Sequence, residues 1–169
     1  MEQYQIVYDK LKELNIKYDV LEHPPALTTA DADEFLEGME GVRTKSIFLC
    51  NKKSTSYYLI VMYASKRLDM KGLDSMLGEK GLHFCSAEKL AEKMALYPGA
   101  VSLFGILNND ERDIKICLDR DMLTENLITF HPNDNTKTLF ISIADMYRFI
   151  KAAGYEYTVL DLFDFWMEE

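Results

Sequence analysis

Ile6, Val7, Leu11 and Leu14 recur at helical spacing. That period places them on one face, so residues 2–14 are predicted as an amphipathic helix ended by Asn15. The period then shortens. Tyr18, Val20 and Glu22 alternate as a strand, and His23-Pro24-Pro25 breaks it. Thr29 is expected to cap a short helix over residues 30–36, with Asp31 and Asp33 in a first turn that favours negative charge. Gly38 and Gly41 punctuate the path onward. Residues 44–50 and 57–63 are β-branched and aromatic runs around a polar 51–56 segment, the pattern of an antiparallel hairpin with a loose turn.

Asp69 reads as the cap of a helix over 73–77, and Ser86 as the cap of one over 87–94. Tyr97-Pro98-Gly99 reads as a turn. Strand-like segments follow at 100–107, 113–118, 126–130 and 137–142. Residues 143–153 return to helical spacing and stop at Gly154, and 155–160 suggest a last strand. No repeat, low-complexity tract or linker divides the chain. The expectation is one α+β domain over 1–169, its core within 4–162, with a mixed, mostly antiparallel sheet. The acidic, aromatic tail from Asp161 is expected to pack Phe163 and Trp166 on the body.

Composition narrows the function classes. The 169 residues are 48% apolar, enough to build a core. No apolar run approaches a membrane span. The start, Met-Glu-Gln-Tyr-Gln, lacks a basic segment leading into an apolar one, so a cytoplasmic protein is expected. Three separated cysteines, Cys50, Cys85 and Cys117, argue against a disulfide framework or a CxxC motif. His23, His83 and His131 have no zinc spacing, and no Gly-rich phosphate loop or GxSxG elbow occurs. A net charge of −9 excludes a protein that grips long stretches of nucleic acid, DNA included. A local contact needs only a few cations. Lys45, Lys52, Lys53, Lys66, Arg67 and Lys71 supply them, or are simply solvated surface charges.

Three stretches place polar groups beside strand or turn signals. Thr44-Lys45-Ser46-Ile47-Phe48-Leu49 starts a strand with a lysine, suited either to snorkelling at a rim or to holding an anion. Residues 98–108 hold Gly99 in Pro-Gly-Ala-Val-Ser-Leu-Phe-Gly, where a glycine serves a turn or lets backbone approach a ligand. Residues 130–135 put His131 before a Pro-Asn-Asp-Asn turn, a loop position that suits functional groups. His23, Pro24, Pro25 and Thr28 form a fourth element, equally readable as turn chemistry.

In this order, over residues 4–162, these stretches resemble the family of YbaK-type Cys-tRNA(Pro) deacylases and the editing domain of bacterial prolyl-tRNA synthetase. The likeness is greatest to its freestanding Ala-tRNA(Pro) deacylases. The resemblance implies a curved mixed sheet flanked by helices. It also implies hydrolysis of mischarged tRNA(Pro) without metal or cofactor, a substrate hydroxyl and a water doing the chemistry. Lys45 would hold a phosphate, Gly99 would supply backbone contacts and His131 would orient the reacting group. His23, Thr28, Ser46, Val101, Ser102, Leu103 and Asn135 would line the substrate site. The acceptor end of tRNA(Pro) is the implied partner, with prolyl-tRNA synthetase as a second. Ser46 stands where members typically show Asn, and Leu103 where many show Pro. Cys-tRNA(Pro) or Ser/Thr-charged tRNA as substrate, and a non-catalytic tRNA or amino-acid sensor, are the alternatives.

Overall fold

The computed structural model describes residues 1–26 and 28–162, leaving the expected contacts of Leu27, Phe163 and Trp166 outside it. The chain order is α1 (Gln3–Glu13), β1 (Asp19–Glu22), α2 (Thr29–Phe35), β2 (Thr44–Cys50), β3 (Tyr57–Tyr63), α3 (Met70–Leu77), β4 (His83–Phe84) and α4 (Ala87–Met94). A 3₁₀ segment (Leu103–Asn108), β5 (Ile114–Asp119), a second 3₁₀ segment (Arg120–Thr124), β6 (Leu127–Phe130), β7 (Lys137–Ser142), α5 (Ile143–Ala152) and β8 (Tyr157–Leu160) complete it.

The α+β class and the mixed sheet are as expected, but the strands divide between two sheets. One is antiparallel, in the order β1-β7-β6. The other runs β4-β2-β3-β5-β8. In it β2 is antiparallel to both β3 and β4, while β3–β5 and β5–β8 are parallel. Its central strand β3 is buried from Tyr57 through Met62, which explains a run of Tyr, Leu, Ile and Val with no polar alternation. The β2–β3 turn is shaped by Asn51, whose Oδ1 accepts from the Thr55 and Ser56 backbone.

The main core lies between the two sheets. It takes Val7 and Leu11 from α1 and Met146, Phe149 and Ile150 from α5. Phe104 packs edge-on against both Phe130 and Phe149. A smaller core on the other side of the large sheet packs Ile60 and Met62 under Leu73 of α3.

Two expected elements differ. The first cap of α2 is Thr28, not Thr29. Its Oγ1 accepts from Asp31 N at 3.1 Å while Asp31 Oδ2 accepts from Thr28 N at 3.2 Å, a reciprocal capping box that starts the helix one residue earlier. The expected strand over 100–107 is a 3₁₀ segment instead. Ser102 Oγ accepts from Phe104 N and turns the chain, and Leu103 to Ile106 are buried on every side. An all-buried apolar run carries no period, so sequence alone could not separate the two.

Candidate functional site

The edge of β2 that faces away from β3 is shared by two partners. At its start, Val42 joins the small sheet: Val42 N donates to Leu127 O and Thr129 N donates to Val42 O, at 2.9 and 3.0 Å. Thr129 Oγ1 adds a bond to Val42 O, and Thr44 Oγ1 donates to Thr129 O at 2.6 Å. At its far end β2 pairs with β4 only through Leu49 and Cys50, extended by Cys85 N donating to Phe48 O. Between these anchors the small sheet and β4 diverge, and a cleft of about 400 Å³ opens.

Residues Thr44 to Phe48 form one wall of this cleft. Facing it are Thr129 and Phe130 from β6, His131 just after it and Thr138 from β7, Pro98, Gly99 and Val101 from the turn after α4, and Ala32 of α2 with its caps Thr28 and Leu36. Sequence positions far apart thus converge on one space because a sheet seam divides there.

Lys45 is half-buried. Among the described residues no acceptor stands within hydrogen-bond reach of its Nζ, and burial alone lowers its pKa from the usual 10.5. An anionic partner would offset the desolvation of such an ammonium.

His131 is more deeply set. Its Nδ1 lies 3.0 Å from Lys137 O, and a carbonyl can only accept, so Nδ1 carries the proton. Burial, the largest influence, lowers its pKa below the usual 6.5 and outweighs the opposing pull of that carbonyl. At neutral pH the ring is uncharged and Nε2 is left as an acceptor. The turn below it is held by Asp134, whose Oδ1 accepts from both Thr136 N and Thr136 Oγ1. Asn133 supplies the left-handed residue at φ 59°.

Gly99 sits at φ +97°, a conformation that favours glycine. A Cβ there would lie 3.7 Å from Asn135 Nδ2. Tyr97 Oη donates to Asn135 Oδ1 at 3.2 Å, tying the Gly99 turn to the His131 loop. Asn135 therefore buttresses the site and is not itself among the residues lining the cleft.

The remaining expected site residues divide. Thr28, Ser46 and Val101 line the cleft. His23 does not. Its ring stacks on Phe35 at 5.0 Å, Nδ1 donates to Pro24 O, and Nε2 accepts from Thr138 Oγ1 in the neutral ring. It holds Thr138 and the wall behind it. Ser102 is buried as a 3₁₀ cap, and Leu103 is fully buried in the main core, so neither forms the expected pocket wall. Lys66 is likewise not part of a surface patch. It is fully buried, with its Nζ 2.8 Å from both Asp119 and Asp121.

Thr138, Arg43, Phe84 and Cys85 are cleft residues that sequence reasoning missed. Arg43 donates to the carbonyls of Leu36, Gly41 and Met39 and so fixes α2 over the cleft. No local pattern marks such a role, since its partners are all main-chain. Phe84 carried a signal, an aromatic on a two-residue edge strand that remains 65% exposed. Among the described residues no group of three or more His, Cys, Asp or Glu side chains is placed to hold a metal ion, and no helix is long and apolar enough to cross a membrane.

The fold and cleft define a small α+β domain with a half-open cleft where two sheets part. The chain belongs to the aminoacyl-tRNA editing domain family, which its residues 23–149 match. It is 31% identical to the prolyl-tRNA editing protein ProX of Acetoanaerobium sticklandii, over 96% of this chain and 99% of that one. It is 27% identical to the mouse prolyl-tRNA synthetase associated domain-containing protein 1, over 90% and 92% of the two chains. A solved structure described as a candidate trans-editing enzyme for prolyl-tRNA synthetase shares the fold, with a TM-score of 0.72 at 20% identity over 96% of this chain and 97% of that one.

Proposed function

We propose that this protein is a trans-editing aminoacyl-tRNA deacylase that clears mischarged tRNA(Pro), with Ala-tRNA(Pro) as its preferred substrate. The observation that carries this reading is the convergence of Lys45, the Gly99 turn and His131 on one cleft. A synthetase built for proline rejects smaller amino acids weakly, because a missing methylene costs it only about 1–3 kcal/mol. A second site that admits the smaller residue and excludes proline restores accuracy.

In this reading Lys45 holds a phosphate of the terminal nucleotide and fixes the ester in the cleft. Water attacks the ester carbonyl, the acyl C–O bond breaks, and the leaving ribose oxygen takes the proton. A ribose hydroxyl of the substrate relays that proton. His131 accepts a hydrogen bond through Nε2 and orients the ribose or the water. The protein's contribution is then position and electrostatics, which suffices for an activated ester. Prolyl-tRNA synthetase is the source of the substrate. The apolar surroundings of Val101, Ala26 and Phe130 suit a methyl side chain and offer nothing that rewards a serine hydroxyl.

The test is a deacylation assay with Ala-, Ser-, Cys- and Pro-tRNA(Pro). Alanine should be removed fastest and proline spared. Proline removed as fast as alanine, or cysteine preferred, would overturn the substrate assignment. No hydrolysis of any of the four would overturn the enzyme reading and favour a sensor.

A further inference from the structure

Among the described residues the outer main-chain edge of β2 is open where it meets the cleft. Arg43 O accepts from Ala64 N, which sets the odd-numbered residues of this strand facing β3. Phe48 O accepts from Cys85 N, which sets the even-numbered ones facing outward. In a strand the N–H and C=O of one residue point to the same side. Those of Thr44 and Ser46 therefore point away from β3, into the gap between the small sheet and β4. Val42 is satisfied by β6, and Phe48 O and Cys50 by β4 and its extension. Among the described residues neither the β2–β4 pairing nor a loop hydrogen bond reaches the outward N–H and C=O of Thr44 and Ser46, and both residues are half-buried and line the cleft. Backbone groups that the fold leaves open in a cleft are paired by solvent or by a ligand.

We propose that Ser46 reads the aminoacyl group through its main chain, as if the substrate's amino acid were the missing residue of a neighbouring strand. This rests on the deacylase reading above. An esterified amino acid presents an α-ammonium donor and an ester carbonyl acceptor on either side of one carbon. That is the donor and acceptor order of a single strand residue. Two residues facing each other in an antiparallel ladder exchange both bonds. Ser46 C=O accepts from the α-ammonium, and Ser46 N–H donates to the ester carbonyl oxygen. The second bond also stabilises the negative charge that grows on that oxygen as water attacks. Recognition of this kind engages only the part that all amino acids share. It leaves size selection to the side chains opposite, such as Val101.

The test uses the full chain and a non-hydrolysable ligand that keeps the phosphate, 3′-alanylamino-3′-deoxyadenosine 5′-monophosphate, with binding measured by calorimetry. In one variant Ser46 is replaced by its α-hydroxy acid, so that the backbone N–H becomes an ester oxygen. In the control the same exchange is made at Leu49, whose N–H faces β3. Thermal unfolding checks that both fold. Loss of the Ser46 N–H should weaken binding about tenfold, and the Leu49 exchange should not weaken it. The propanoylamino analogue, which lacks the ammonium, should bind the unmodified protein about tenfold less tightly. If the Ser46 variant binds as tightly as the unmodified protein, or if losing the ammonium changes nothing, the main-chain proposal is wrong while the deacylase reading stands. If the unmodified protein binds none of these ligands, the deacylase reading falls and takes this proposal with it.

Discussion

At the scale of the residue, Lys45 and His131 make opposite use of burial. Lys45 has no partner among the described residues, so its removal should cost activity and little else. Lys45→Ala is expected to lower kcat/KM for deacylation by about tenfold to a hundredfold, the worth of one charge-assisted contact of about 1.5–3 kcal/mol. Its melting temperature should stay close to the parent's, because no ion pair is lost. His131 gives up charge to be buried. Below pH 6.5 the unfolded chain takes a proton that the buried ring declines. The unfolded state then binds more protons, so this residue's contribution to stability is present above 6.5 and is lost as pH falls toward its lower folded pKa. Urea unfolding at about pH 7.5 and about pH 5.5 should therefore show a smaller pH-dependent loss for His131→Asn than for the parent protein. An equal loss would mean that burial does not depress this histidine. Sequence exposed these two residues because each stands at a junction, one at a strand start and one before a Pro-Asn-Asp-Asn turn. It did not expose Thr138 or Arg43, whose partners lie on distant elements or are carbonyls that every residue possesses.

At the scale of the element, the legible parts were those with a period or a punctuation mark. The β2–β3 hairpin, α4 with its Ser86 cap and α5 before Gly154 follow from alternation, capping and helical spacing. The 3₁₀ segment after Gly99 was illegible because it is buried all round, and its burial also moved Leu103 out of the cleft. Leu103→Ala should accordingly destabilise the fold by about 2–5 kcal/mol, as core truncations do, with little change in the ratio of rates on Ala- and Pro-tRNA(Pro). Chemical denaturation beside the deacylation panel separates these effects. A changed ratio in a fully stable protein would return Leu103 to the pocket. The second 3₁₀ segment has its own anchor. Asp119, at the end of β5, is wholly buried and accepts from Lys66 and from Tyr63 N. Asp119→Ala would remove the fully buried one of the two carboxylates that hold the Lys66 ammonium and should cost about 3–5 kcal/mol, read as a shift in denaturation midpoint. A loss under 1 kcal/mol would show the pair to be dispensable. No spacing rule joins position 66 to position 119, so a lysine that reads as surface charge in sequence becomes structural only in the fold.

At the scale of the whole molecule, charge and topology decide how a nucleic acid can be engaged. An acidic body with net charge −9 repels phosphates everywhere except at local cations. Binding to tRNA should weaken with salt along a shallow slope corresponding to about 2–4 phosphates, against the 6–10 of extended binders. Titrations over a salt series give that slope directly, and a steep one would require a broad basic interface. Topology sets the other limit. The gap in the outer edge of β2 is bounded by hydrogen-bonded anchors, Val42 on one side and Phe48 on the other. Its length can change only in whole repeats of the strand, about 6.6 Å for two residues. Lengthening β4 by one such repeat would cover Ser46 and abolish the opening outright. Widening the gap by one would surrender the bond to Phe48 O. The backbone therefore works as a coarse gauge with discrete settings, and the fine adjustment among amino acids falls to side chains on the opposite wall. New specificities are accordingly expected to arise there first, around Val101, Ala26 and Phe130, while the strand that carries Lys45 and Ser46 keeps its register.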